Sequence, residues 1–247
     1  MIRTASLASG LFVVLSIATA ACAARSTGTS TDVPRLAQPG VIASIEMASD
    51  EALTASPSAP YWTGVVPAIL DRDYFGVRIE GRPTEVRSRW TRTHLYLLYT
   101  CPYDTLHLKP APDVSAETPR LWNWDVAEAF IGSDAVNIAR YKEFQVSPQG
   151  EWIDLDIDRA DAAAQQGMAW NSGFEVKARV DEAARVWYGE MKIPFAAIDS
   201  PAPERGRTLR VGLYRIAGAD PRTFYAWQPT GQRNFHVPEA FGTLRLQ

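Results

Sequence analysis

The chain has 247 residues, 46% of them hydrophobic and 21% charged, with a formal net charge of −3. That balance provides no basic field to attract nucleic acid or other anionic polymers, and the charges are interspersed rather than blocked. Two cysteines are too few for a disulfide framework, so stability has to come from a packed core.

At the N-terminus, Arg3 followed by the mostly apolar run from Leu7 to Ala21 has the n-region and h-region of an export signal, and Thr19, Ala20 and Ala21 supply small residues for cleavage. The run is too short to span a bilayer. Thr19-Ala20-Ala21-Cys22 resembles a bacterial lipoprotein lipobox, which implies a lipidated Cys22 and attachment to the membrane of the cell envelope. Cleavage after Ala20 is the alternative and gives a periplasmic or secreted protein. Loss of Arg3 with residues 1–21 takes the net charge from −3 to −4. Cys101 then has no partner and reads as a small apolar residue on a strand. Residues 22–40 form a linker rich in Ser, Thr, Ala and Pro. Residues 41–247, roughly 200 in number, suit one domain with one sizeable core.

Within that domain the apolar period is two, with β-branched and aromatic residues in short runs bounded by turn signals. Val86, Ser88 and Trp90 alternate with Arg87 and Arg89, and a turn through Thr91–Thr93 leads into Leu95–Tyr99, a strand buried on both sides. Leu121–Phe130, LWNWDVAEAF, reads as an apolar strand. Phe144 and Val146 run into Ser147-Pro148-Gln149-Gly150, a type I turn, and Trp152–Ile157 returns. Asp154, Asp156 and Asp158 alternate with Ile153, Leu155 and Ile157, which predicts an outward acidic face. Together with Asp161 they open like an EF-hand loop, but Arg159 occupies the glycine position and Gln165 that of the bidentate glutamate, so the motif fails. Phe174–Val180 pairs with Val186–Phe195, where Pro194 ends the pairing. Leu209–Ile216, Phe224–Trp227 and Gly242–Leu246 complete the set. Only Asp161–Gly167 and Pro194–Ile198 suit a helical turn or two. The fold class is all-β, an antiparallel β-sandwich of jelly-roll or immunoglobulin-like type with minimal helix.

The chemistry concentrates in Leu121–Phe130. Aromatic planes stack on the C–H faces of pyranose rings while carboxylates accept from hydroxyls, and Asp125 and Glu128 stand beside Trp122 and Trp124. Trp62, Trp90 and Trp187 alternate with polar or charged neighbours and are assigned to packing. His236 is assigned to satisfying loop backbone, and Arg215 to a strand-end ion pair. The histidines at 94, 107 and 236 are too scattered to mark a zinc site.

Five segments in order carry a resemblance: Val86-Arg87-Ser88-Arg89-Trp90, Leu95-Tyr96, Leu121-Trp122 with Asp125 and Glu128, Glu190 before Ile193-Pro194, and Pro238-Glu239-Ala240-Phe241-Gly242-Thr243-Leu244-Arg245-Leu246. Over roughly residues 60 to 247 this series resembles the family 9 carbohydrate-binding modules. The resemblance implies an antiparallel β-sandwich that clamps a sugar, often at a chain's reducing end, between two aromatic rings flanked by polar side chains. Trp122 takes the place of the first clamping tryptophan and Glu128 that of a glutamate holding hydroxyls. Phe235 stands for the second tryptophan. Gln145 replaces a site arginine, Tyr214 a glutamine and Gln232 an asparagine, so a fork of donors is lost. Trp124, Trp170, Asn171 and Trp227 are an alternative platform.

The partner so implied is a mono-, oligo- or polysaccharide. No cofactor is established, and structural calcium is possible by analogy with the family. Many proteins that carry such modules are multidomain glycosidases of polysaccharide degradation. This chain has no G-x-S-x-G, nucleotide loop or metal-hydrolase histidine pair, and no enzyme activity is expected of it. Related sandwiches of the cytochrome-domain type hold haem b through Met and His, for which Met168 or Met191 would serve. That, or an envelope interaction module that has lost sugar binding, is the alternative.

Overall fold

The structure is a computed structural model that describes residues 1–2, 40–161, 170–198 and 201–247. The chain divides into two units, Met1–Val33 and Pro34–Gln247, and the second holds all described residues beyond Met1 and Ile2. Residues 3–21 of the signal, Cys22 and the linker up to Pro39 fall outside the described residues, as do positions 162–167 of the Asp161–Gly167 turn and Met168.

Twelve strands follow in chain order among the described residues: β1 (Val41–Glu46), β2 (Ala68–Leu70), β3 (Thr84–Trp90), β4 (His94–Pro102), β5 (Val126–Gly132), β6 (Arg140–Val146), β7 (Trp152–Asp158), β8 (Glu175–Asp181), β9 (Val186–Pro194), β10 (Thr208–Ala217), β11 (Thr223–Ala226) and β12 (Gly242–Leu246). Their hydrogen-bonded order is β7-β6-β5-β10-β12-β1-β3-β4-β9-β8, with β11 on β10 and β2 on β3. Among the described residues helix is confined to 3-10 turns, including Leu121–Asn123 and Phe195–Ile198.

The sandwich expected from the period-two pattern is present, and one pairing departs from it. All ladders are antiparallel except those of β1, which runs parallel to β12 through Val41–Ser44 and then parallel to β3 through Ile45 and Glu46. A single strand thus leaves one sheet and enters the other, and the turn of the sandwich falls within it. Nothing in six residues of alternating apolar sequence distinguishes a parallel from an antiparallel neighbour.

The main core lies between the sheets. It takes Ala127, Ala129, Ile131, Phe144, Val146, Val211 and Leu213 from one side and Val86, Leu95, Leu97, Tyr99, Trp187, Met191 and Ile193 from the other. Strands β4 and β5 read as continuously apolar because each sheet is covered again on its outer face. Over β4 lies the segment bearing Ala59, Trp62 and Val65, which packs on Tyr96 and Leu98. Over β5 lies an aromatic layer built from Phe130, Tyr141, Tyr214 and Phe235. Trp62, Trp90 and Trp187 are fully buried, as read from their neighbours.

Two assignments along the strands are corrected. Leu121–Asn123 is a 3-10 turn rather than the start of a strand, and β5 begins at Val126. The acids of β7 do not form an outward face. The register Phe144↔Asp154 sets Asp154 on the inner side of the sheet, where it is fully buried and accepts from the Ser172 amide (2.8 Å) and hydroxyl. Ile153, Leu155 and Ile157 are the residues that face outward, into the aromatic layer. The alternation was read correctly and its sense was reversed, because both faces are covered.

The Phe241-Gly242 pair has a steric reason. A Cβ at Gly242 would strike the Trp227 ring and stand 2.9 Å from the Gly40 carbonyl, which the Thr243 amide already holds at 2.8 Å. Backbone on one side and a core indole on the other leave little room to yield. Gly242→Ala is expected to cost about 1–3 kcal/mol, measurable as a lower urea midpoint; an unchanged midpoint would show that the junction of β1 and β12 is looser than its geometry.

Candidate functional site

Period two on five strands assembles one outer face. Glu128 pairs with Gln145 and with Tyr214, Phe130 with Glu143, and Glu143 with Leu155, so these side chains lie on the same side of the sheet. Glu128, Phe130, Glu143 and Leu155 form the floor of a cavity of about 380 Å³ whose walls are Tyr74, Trp122, Phe224, Phe235 and His236, with Arg159, Arg233 and Asn234 also on its lining, while Gln145 and Tyr214 lie buried beneath the floor.

The walls are braced by ring contacts. Phe235 stacks on Tyr214 at 4.2 Å and 9°, and His236 lies over Phe130 at 5.0 Å and 30°. Tyr214 can lie flat because Gly212 precedes it on the same face: a Cβ there would sit 2.7 Å from the Tyr214 hydroxyl oxygen. Trp122 rides on the 3-10 turn, and the turn is tied down by Arg222, whose Nη2 donates to the carbonyls of Trp122 (2.8 Å) and Trp124 (2.9 Å).

The floor is acidic and acceptor-rich. The Gln145 amide donates to Glu128 Oε1 at 2.8 Å and to Glu143 Oε1 in a shorter contact, which uses both of its N–H groups. Glu128 Oε2, Glu143 Oε2, Gln145 Oε1 and the Tyr214 hydroxyl are buried without a partner among the described residues. Burial, then the neighbouring charge of Glu143, lifts Glu128 well above the usual carboxylate range, with Arg222 pulling the other way. Burial pushes Glu143 up to about 8. The pair therefore holds a proton at neutral pH.

His236 is corrected from a backbone-satisfying role. Its Nδ1 lies 2.7 Å from the Tyr141 hydroxyl, and burial followed by the charge of Arg159 lowers it to about 4. The other ring nitrogen, Nε2, lies 3.8 Å from Glu143 Oε2. Arg215 is corrected as well: it is fully buried, donates to the Thr84 hydroxyl at 2.9 Å and lies against Tyr225 rather than in a strand-end ion pair.

These shifts make stability depend on pH. Glu143 is raised, so its contribution is full below about 4.5 and is lost as pH rises through about 8. His236 is depressed, so its contribution is present above about 6.5 and is lost as pH falls through about 4. Glu128, raised by the same burial, loses stability with rising pH as Glu143 does, so the gain at His236 offsets only part of the loss between 4.5 and 6.5, and from 6.5 to 8 the loss at the acid pair is unopposed by His236. Urea titrations across pH are expected to show stability falling over that interval. Glu143→Gln should flatten the slope and be the more stable protein at pH 8.5, by on the order of 2 kcal/mol. Parallel profiles for the two proteins would refute a buried, proton-holding Glu143.

Of the residues assigned from sequence, Trp122, Glu128 and Phe235 line the cavity. Gln145 and Tyr214 are fully buried beneath it. Gln232 is exposed and is absent from the lining, its carbonyl accepting from the Thr230 hydroxyl at 2.9 Å. Asp125 is not part of the face: it is buried and accepts from the amides of Gly218 (2.7 Å) and His107 (3.3 Å). Trp170 and Trp227 pack on the inter-sheet core, and Asn171 accepts from the Gly173 amide, so they form no second platform. Glu143 and Phe130 escaped the sequence, although each lies two residues from an assigned one and period two puts them on its face. Tyr74 and Phe224 come from segments with no such signal.

Among the described residues no three His, Cys, Asp or Glu side chains gather as a metal site, and the β7 acids are engaged, Asp156 with Lys142 (2.8 Å) and Asp154 with Ser172. Met191 is fully buried between the sheets, on the far side of the floor from the cavity, and cannot serve a ligand there.

Fold and cavity together define a β-sandwich module with its pocket on the outer face of one sheet. The chain belongs to the carbohydrate family 9 binding domain-like family, whose model matches residues 61–247. Among solved structures it is similar to a protein of Bacteroides uniformis ATCC 8492 provisionally described as carbohydrate-binding, at 16% identity and a TM-score of 0.64, covering 84% of this chain and 99% of that one. It is also similar to a family 9 carbohydrate-binding module of Caldicellulosiruptor kristjanssonii solved with cellotriose, at 13% identity and a TM-score of 0.60, covering 84% and 93%. The same module solved with glucose gives 14%, 0.60, 84% and 95%. No curated protein matches the chain significantly by sequence.

Proposed function

We propose that this domain binds carbohydrate without cleaving it, seating a glycosyl unit in the cavity over Glu128 and Glu143. The observation that carries this is the floor: several buried acceptor oxygens without partners, beneath aromatic walls, ask for a ligand with many donors and apolar C–H faces. A pyranose has both. Trp122 stacks on one side of the ring and Phe235, backed by Tyr214, closes on the other. Glu128 takes hydroxyl hydrogens and Gln145 fixes the acid pair from below. The complexes with cellotriose and glucose in the structural neighbours support this reading.

A non-catalytic role follows from the placement of the acids. Glycoside hydrolysis needs two carboxylates flanking the scissile bond. Glu128 and Glu143 instead stand side by side on neighbouring strands and share one amide donor. The export signal and Cys22 would present the module at the cell envelope, tethered through lipid or free in the periplasm or medium.

Calorimetric titration with glucose, cellobiose, xylooligosaccharides and glucosamine tests the reading. Saturable heat with one of these supports it. Silence across the sugars would overturn it and leave a sandwich used for interaction with a protein of the envelope.

A further inference from the structure

We propose that the sugar selected by this cavity is an amino sugar, a pyranose whose free amine enters as an ammonium ion and lies between Glu128 and Glu143. The proposal rests on the carbohydrate reading above and adds the charge of the ligand to it.

The first argument is a count of donors and acceptors. Both N–H groups of Gln145 are spent, and of the four unpartnered groups three are pure acceptors, Glu128 Oε2, Glu143 Oε2 and Gln145 Oε1, while the Tyr214 hydroxyl can donate as well as accept. An ammonium brings three donors and no lone pair, which matches that inventory. A hydroxyl brings one donor, and its lone pairs face oxygen.

The second argument is charge. Two buried carboxylates share this floor, and Arg222 acts on Glu128 while its Nη2 is committed to the carbonyls of Trp122 and Trp124. Arg159 and Arg233 also line the cavity, but among the described residues no cation is hydrogen-bonded to Glu143. His236 is neutral. Lys142, its neighbour on β6, points to the other face and pairs with Asp156 at 2.8 Å beside Trp170. Arg159 acts on Tyr141 and His236, and the phenols of Tyr141 and Tyr214 stay un-ionised because burial raises both. The pair is one positive charge short and now fills the deficit with a proton. A ligand ammonium does so with three directed hydrogen bonds, and the faces of Trp122, Phe130 and Phe235 favour a cation further.

The exchange has a required by-product: when the ammonium enters, the shared proton leaves to solvent, so binding at pH 7 releases up to one proton per sugar. Titration of the full chain with glucosamine, glucose, N-acetylglucosamine and glucuronic acid, each in two buffers of different ionisation enthalpy, reads affinity and proton release together. The expected result is glucosamine at least about tenfold tighter than glucose, N-acetylglucosamine no tighter than glucose, and proton release with glucosamine alone. In Glu143→Gln the ratio of glucosamine to glucose should fall to near one and proton release should cease. Glucose binding with no preference for glucosamine and no proton release would overturn the proposal and leave the carbohydrate reading standing. Glucuronic acid tighter than glucosamine would overturn it in favour of selection by Arg159 and Arg233. Failure of every sugar would overturn both.

Discussion

Glu190→Ala is expected to lower the stability of the domain by about 3–5 kcal/mol, a large share of the 5–15 kcal/mol typical of a folded domain. Glu190 lies on β9 with its carboxylate fully buried on the outer face of the second sheet. Oε2 accepts from the consecutive amides of Thr54 (2.8 Å) and Ala55 (2.6 Å), and Oε1 from the Tyr61 hydroxyl (2.7 Å) and the Trp62 indole (3.1 Å). Ala55 takes a left-handed conformation with φ of 50°, and its amide and that of Thr54 converge on one oxygen. These bonds pin the segment that covers Tyr96 and Leu98. Removing the acid leaves two buried amides and an indole N–H unsatisfied at once. Glu190→Gln keeps one acceptor and is expected to lose about half as much. Urea unfolding followed by far-UV circular dichroism measures both. A loss below about 1 kcal/mol for the alanine variant would show that the segment is held by its apolar contacts alone.

That residue also shows what the chain discloses before folding. Glu190 stood in the series that carried the family resemblance, and its role proves to be closing the segment from Thr54 to Trp62 over the sheet. Most strands were legible because the signal is local: Val86–Trp90, Leu95–Tyr99 and Trp152–Ile157 alternate or run apolar, and a short turn follows or precedes each. The direction in which Asp154 points was not legible, since alternation separates two faces without saying which is the inner one, and here both are covered. The parallel seat of β1 depends on partners just over two hundred residues distant in β12 and about forty distant in β3. In the site, Trp122, Glu128 and Phe235 were found by resemblance. Glu143 shares a face with Gln145 through its two-residue offset, and the resemblance assigns it no role. The acid pair arises only when β5 and β6 align in register, which no single strand encodes.

Trp122→Ala is expected to weaken sugar binding at least about 100-fold while leaving cooperative unfolding in place. The asymmetry follows from where the indole sits. Trp122 is half-buried, packs on the edge of the aromatic layer and presents the rest of its surface to the cavity. The turn that carries it is held by backbone, through Trp124 N to the Leu121 carbonyl (3.1 Å) and through Arg222 to two carbonyls, and none of these bonds uses the indole. Truncation therefore removes a stacking surface without cutting the tether, and the loss of stability should stay below about 2 kcal/mol. Arg222→Ala supplies the complementary test. It leaves the ring but frees the turn and removes the cation nearest Glu128, so binding should weaken by positional disorder, and Glu128 should become still harder to ionise. Calorimetry on the two variants separates platform from positioning. If Trp122→Ala unfolds the domain, the indole is core and the stacking assignment fails. If it folds and binds as the wild type does, the sugar is held by Phe235 and the acid floor, and the clamp has only one aromatic jaw.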